Sequence, residues 1–138
     1  MDNRSQEWRS QLMARVRTRD TKPELVVRSA LHRAGYRFRL QDKNLPGKPD
    51  IVLKRHRMAV FVHGCFWHGH TCRKGKLPSS NMEFWTSKIG KNKARDAGNL
   101  LLLDEMGWRS IVVWECDLET GISDLVAALS TENDPQPN

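Results

Sequence analysis

Residues 61–72, Phe61-Val62-His63-Gly64-Cys65-Phe66-Trp67-His68-Gly69-His70-Thr71-Cys72, constrain this chain more than any other stretch. They hold two of its three cysteines, three of its five histidines and two adjacent large aromatics. An ordinary loop has no use for that mixture, whereas a metal cage beside a nucleic-acid or catalytic surface uses all of it. With Cys116 far along the chain, Cys65, His70 and Cys72 make a Cys₃His set. Sites of that composition bind zinc with four ligands, the thiolates as anions, and leave no position open, so the role is structural. The competing reading, three small core cysteines and a free histidine, fits poorly with the polar, glycine-bearing surroundings.

The rest of the chain is consistent with a small protein that needs such a staple. Its 138 residues suit one domain, and the hydrophobic fraction of 38% is modest, so a structural metal would supplement a small core. The formal net charge of +7 points to a polyanionic partner, although a merely soluble basic protein has the same charge. No apolar run approaches a membrane span, and the N-terminus carries no hydrophobic signal core. These features place the chain in the cytoplasm. Thiols stay reduced there, three cysteines cannot all pair, and metal binding is the natural use of them.

Read in order, the elements run α-α-β-β-β-α-β-α, which predicts a small mixed α/β sheet flanked by helices. Residues 1–19 read as a basic amphipathic arm, with Trp8, Leu12, Met13 and Val16 at helical spacing among arginines that include Arg15. It either packs on the domain or lies on DNA. Residues 20–130 form the main domain, and 131–138 a disordered tail. Thr21-Lys22-Pro23-Glu24 is a helix start, with Thr21 as N-cap, Glu24 at the reciprocal capping position and Gly35 beyond the C-terminus. Tyr36 to Leu40 alternates as a half-exposed strand. Pro49-Asp50-Ile51-Val52-Leu53 and Met58 to Val62 read as a hairpin, the second strand buried and central. That pairing places Asp50 beside Val62 and His63. Ser80 is the expected cap of a long helix whose polar middle, Gly90 to Asn99, holds two glycines able to kink it. Trp108 to Trp114 is a last strand, and Asp117 to Leu129 a closing helix.

Two further constellations carry chemistry. A carboxylate such as Asp50, at a strand end, is a seat for Mg²⁺, which keeps waters and meets substrate phosphate. His63 and His68 lie close enough in sequence to move protons near neutral pH. Asp50 alone is more commonly a turn aspartate, and its value comes from these neighbours. Phe66, Trp67 and Trp85 are aromatics of the kind that wedge between base steps. Their structural alternative is packing on the metal loop and the core.

Taken together, these motifs resemble the very-short-patch-repair (Vsr) mismatch endonucleases. The resemblance rests on Met13 with Thr21-Lys22-Pro23-Glu24, on Leu45-Pro46-Gly47-Lys48-Pro49-Asp50, and on His63-Gly64-Cys65-Phe66-Trp67-His68-Gly69-His70-x-Cys72. It continues through Phe84-Trp85-x3-Ile89-Gly90-Lys91-Asn92, Gly107-Trp108 and Val113-Trp114-Glu115-Cys116. It implies a restriction-endonuclease-like fold and a Mg²⁺-dependent nick in duplex DNA on the 5′ side of the T of a T:G mismatch left by deaminated 5-methylcytosine. By motif, Asp50 corresponds to the magnesium-binding catalytic aspartate, and Val62 to a further ligand through its backbone carbonyl. His68 corresponds to the catalytic histidine, with His63 and Glu24 in support. Cys65, His70, Cys72 and Cys116 correspond to the structural zinc ligands. Phe66, Trp67 and Trp85 correspond to the DNA wedge, and the arm with Met13 to a grip on the opposite groove. Arg15, Lys48, Arg73 and Lys91 are the basic residues expected on DNA.

The chain departs from the broader nuclease superfamily, which follows Pro-Asp with an acid-x-lysine pair. Here that strand end is Phe61-Val62-His63, which makes histidine assistance necessary. A bacterial, nucleoid-associated monomer is expected, and a MutL-type repair protein is left open as a partner. Two alternatives stand beside this reading: a zinc-stapled, non-catalytic DNA-binding module, and the same nuclease chemistry with a different or broader target.

Overall fold

A computed structural model describes residues 21–131. The arm predicted over 1–19, with Met13 and Arg15, lies outside the described residues. So does the tail, apart from Thr131, the C-cap of the last helix.

Helix α1 (Lys22–Arg33) starts as its sequence predicts. Thr21 Oγ1 accepts from the Glu24 N–H at 3.4 Å, Pro23 occupies the first turn, and the chain leaves through Gly35 at φ +87°. Its buried positions Glu24, Val27 and Leu31 recur at helical spacing. Strand β1 is only Arg39–Leu40, shorter than the alternation from Tyr36 suggests. Tyr36 and Phe38 instead turn onto the core, and Gln41 at φ +52° ends the strand.

β2 (Ile51–Leu53) pairs antiparallel with β1 and with β3 (Met58–His63). The β2–β3 connection is a 3₁₀ turn at Lys54–His56, closed by Arg57 in the left-handed region. The predicted hairpin is therefore present. β4 (Arg109–Trp114) lies parallel to β3, in register from Met58↔Arg109 to His63↔Trp114. A parallel pair requires a long crossover, and helix α2 (Met82–Glu105) supplies it. α3 (Leu118–Ser130) closes the chain, capped by Asp117 Oδ1 accepting from the Thr120 N–H at 3.2 Å.

The sheet order is β1-β2-β3-β4. Met58 and Val60 of β3 face Val27 and Leu31 of α1 and Leu125 and Leu129 of α3. Ala59 and Phe61 face Leu103 of α2. β3 is thus covered on both sides, which is why it reads as a continuous apolar run. His63, next in the Ala59–Phe61 alternation, emerges at the C-terminal end of β3 on the α2 side.

One expectation for α2 is corrected. Its N-cap is Asn81, at φ +56° with no side-chain cap bond, rather than Ser80. The helix runs through 24 residues with Gly90 and Gly98 inside it. Of its apolar positions, Ile89 and Leu103 are buried, whereas Phe84 and Leu101 are exposed, as is Met106 at its C-cap.

Candidate active site

A cleft of about 580 Å³ opens where the C-terminal end of β3 meets α2, with Asp50, Val62, His63, His68 and Lys48 in its wall. Asp50 enters from the start of β2, and its Oδ2 accepts from the Val62 N–H at 2.7 Å. Burial pushes the Asp50 carboxyl up to about 7. The Val62 hydrogen bond opposes the shift and the neighbouring Glu24 carboxylate adds to it. Glu24, only 2% exposed, reaches this place from α1 and pairs with Arg28 Nη2 at 3.1 Å. Arg28 balances one of these two neighbouring acids, and the half-buried Asp50 carboxylate is a seat that a hard divalent cation can take.

The two histidines line the same cleft as Asp50. Their rings are stacked, 3.6 Å between centroids and 4° from parallel. His68 Nδ1 meets Asp96 Oδ2 at 2.6 Å. With the carboxylate as acceptor, Nδ1 is the donor of this bond and Nε2 is the ring nitrogen left for chemistry. Burial first, and His68 second, lower the His63 pKa to about 4, which keeps that ring neutral at physiological pH. Asp96 is the residue that sequence reasoning missed. It stands in the polar middle of α2 among Lys91, Lys93 and Arg95, and nothing in the helical period distinguishes it. The only signal was an acid in an otherwise basic run. His63, His68 and Asp96 also present donors close enough to hold a cation, but the short His68–Asp96 bond already occupies Nδ1.

The cage assembles as the cysteine spacing predicts. The donor atoms of Cys65, His70, Cys72 and Cys116 all lie within 4.8 Å of one another, and Cys116 Sγ is 3.5 Å from His70 Nδ1. Tetrahedral zinc, with bonds of about 2.0–2.3 Å, needs donors roughly 3.5–4 Å apart, so the set fits. The thiols titrate unequally: burial pushes Cys65 up to about 12. At Cys72 desolvation is outweighed by hydrogen bonds involving His70 and Cys65, which bring it down to about 6. The loop is tight. The His70 N–H bonds the Cys65 carbonyl at 3.0 Å, and the Gly75 N–H bonds that of Cys72 at 3.0 Å. Gly75 has no room for a side chain, since a Cβ there would sit 1.9 Å from the His70 carbonyl oxygen.

Phe66, Trp67 and Trp85 gather into one aromatic cluster with centroid separations of 5.2–6.0 Å. Phe84, 55% exposed, extends it. Asn92 fastens the cluster to α2, its Nδ2 donating to the Trp67 carbonyl at 2.9 Å. Arg73 and Lys91 are exposed and do not line the cleft.

The family model described as "DNA mismatch endonuclease Vsr" matches residues 1–74, more than half of the chain. This chain belongs to the Vsr family. A "Type II nicking enzyme V.XorIIP" from Xanthomonas oryzae pv. oryzae is 51% identical over 134 residues, covering 97% of this chain and 98% of the relative. "Type II nicking enzyme V.NmeAIP" from Neisseria meningitidis is 50% identical over 111 residues, 80% of this chain and 79% of that one. The protein named "DNA mismatch endonuclease Vsr" from Escherichia coli is 48% identical over 110 residues, 80% of this chain and 70% of its own length. Membership in Vsr makes the chain an endonuclease. Among the described residues no helix is long and apolar enough to cross a membrane.

Proposed function

We propose that this Vsr protein is a Mg²⁺-dependent nickase that cuts duplex DNA on the 5′ side of the T in T:G mismatches arising from 5-methylcytosine deamination. The observation that carries the reading is the cleft itself. Asp50 shares it with a stacked histidine pair, of which His68 is bonded to Asp96, and Trp67, adjoining His68 in the chain, belongs to a half-buried aromatic cluster. The core is proposed to be restriction-endonuclease-like, and the Cys65/His70/Cys72/Cys116 cage to hold structural zinc.

Asp50 and the Val62 carbonyl would hold magnesium, which when bound supplies positive charge to the scissile phosphate. His68 exchanges a proton with the attacking water through Nε2, while Asp96 fixes its tautomer and orientation. His63 supports the ring of His68, and Glu24 supports the acid end of the cleft. Phe66, Trp67 and Trp85 wedge beside the mismatch, where unstacking costs less than at a matched step. Lys48, Arg73, Lys91, Arg15 and Met13 are assigned to DNA contacts. The setting proposed is a monomer at the bacterial nucleoid in the cytoplasm, with a MutL-type repair protein as the class of partner.

The same chemistry on a different or broader target is the second reading, favoured by relatives whose names call them type II nicking enzymes rather than mismatch enzymes. One assay separates the two. Labelled duplexes identical except for one T:G pair, in the context CT(A/T)GG opposite CC(A/T)GG, are incubated with Mg²⁺. Cutting of the T strand alone supports the first reading. Equal cutting of matched DNA supports the second. Mg²⁺-independent binding with no cutting would reject both in favour of a DNA-binding module.

A further inference from the structure

Four rings form an unbroken column between the cleft and the cage. His68 stacks on His63 at 3.6 Å. His63 meets Trp114 edge to face at 5.2 Å and 75°. Trp114 stacks on His70 at 4.1 Å and 18°. His63 and Trp114 are register partners at the ends of β3 and β4, so the backbone fixes their spacing. His63 Nδ1 is buried and has no hydrogen-bond partner among the described residues. A functional imidazole usually takes its orientation from a bond on its second nitrogen. On Nδ1 the His63 ring has no such bond, so its neighbours Phe61, His68 and Trp114 bear on its angle.

We propose that Trp114 is a positioning residue that ties the geometry of the His63–His68 pair to the state of the Cys65/His70/Cys72/Cys116 cage. Ligation fixes the plane of His70. Trp114 lies against that plane and sets the angle of His63, and His63 presents the face on which His68 rests. Asp96 holds His68 at one nitrogen and the column holds it from below, so Nε2 is aimed by two constraints rather than one. A staple made only to hold the loop would need no ring between it and the catalytic pair. The inference rests on the functional reading above and adds to it a route from metal site to chemistry.

The test uses the full-length chain with its metal content measured, comparing wild type, Trp114→Leu and Trp114→Phe. Trp114→Leu, still carrying one zinc per chain, should lower the single-turnover nicking rate on T:G duplex about 30-fold or more, since a displacement near 1 Å can cost about 100-fold. Its Kd for the same duplex should stay within about threefold, the split expected when positioning rather than binding is lost. The ring ¹H–¹⁵N signals of His63 and His68 should move while those of His32 and His56 stay in place. Trp114→Phe, which keeps a flat ring, should recover most of the rate and the signals. In unmutated protein, exchanging zinc for the larger cadmium should displace the His63 and His68 signals together with that of His70. A zinc-loaded leucine variant with wild-type rate, a phenylalanine variant no better than leucine, or a cadmium shift confined to His70 would each overturn the inference. A chain that binds no zinc would overturn the cage assignment and the coupling with it. A zinc-loaded wild type that nicks nothing would overturn the functional reading, and the cadmium-induced ring shifts alone would then decide the coupling.

Discussion

Burial and the Glu24 carboxylate raise the Asp50 carboxyl from 3.8 to about 7, against the Val62 N–H that favours its charge. A folded-state pKa raised above the unfolded value stabilises fully below the unfolded pKa and loses that contribution as pH rises through the folded one. Without magnesium, ionised Asp50 therefore costs roughly 3 kcal/mol at pH 8 once solvent relaxation is allowed for. Asp50→Asn keeps an acceptor for Val62 and removes the charge. It should melt several degrees above wild type at pH 8 in magnesium-free buffer, melt alongside it near pH 4, bind DNA and fail to nick. Retained nicking would defeat the assignment of Asp50. In the wild type, proton and cation compete for this carboxylate, so the magnesium needed for half-maximal nicking should rise about tenfold per unit below pH 7. A flat magnesium requirement from pH 5.5 to 8 would contradict it. Asp96→Asn preserves shape but offers His68 a donor amide or a neutral acceptor. The expected loss is about 10²–10³-fold in nicking rate at unchanged DNA affinity, within the range of general acid–base catalysis, and a rate within threefold of wild type would remove Asp96 from the mechanism. Asp50 was legible because a strand-start acid in a hairpin has a predictable neighbour. Asp96 was not, because its partner arrives only when α2 crosses the end of β3.

Elements explain why the metal loop is so short. Gly75 sits where the 3₁₀ turn Arg73–Gly75 folds back over the His70 backbone. A Cβ 1.9 Å from the His70 oxygen must push backbone against backbone, and His70 is one of the four candidate ligands. Gly75→Ala should weaken zinc retention about 10–100-fold, the range found when groups supporting metal ligands are lost, and lower the melting temperature. Competition with a chromogenic chelator reads this directly, and unchanged zinc retention would show that the turn can shift without disturbing the cage. Gly98→Ala is the matched control. A Cβ there meets nothing within 4 Å, and replacing a mid-helix glycine by alanine gains roughly 0.5–1 kcal/mol. The composition of residues 61–72 made the cage legible. Gly75 reads as an ordinary glycine of a basic loop, because a steric need for no side chain leaves no mark on composition. The start of α2 escaped for a related reason. Ser80 and Asn81 have equally good capping chemistry, and the chain takes its turn at Asn81 in the left-handed region, which asparagine tolerates better than serine.

At the scale of the whole molecule, two terms of different origin must add. The chain carries a net charge of +7, and exposed Lys48, Arg73 and Lys91 stand among its basic groups. Phosphate neutralisation releases counterions, so affinity falls with salt at a slope near −0.9 per phosphate contacted. Six contacts would cost about 10³ in affinity between 50 and 200 mM salt. The aromatic cluster is proposed to act differently. Wedging works against base stacking, a cost that depends on whether the step is mismatched and hardly on counterions. Binding curves for T:G and T:A duplexes measured without Mg²⁺ across that salt range should therefore run parallel on a log–log plot, offset by a constant preference for the mismatch. Trp67→Ala should collapse the offset and leave the slope alone. Arg73→Ala and Lys91→Ala should each reduce the slope by about one and leave the offset alone. If the preference for T:G instead faded as salt rose, discrimination would reside in phosphate contacts, and the Phe66–Trp67–Trp85 cluster would revert to packing on the metal loop.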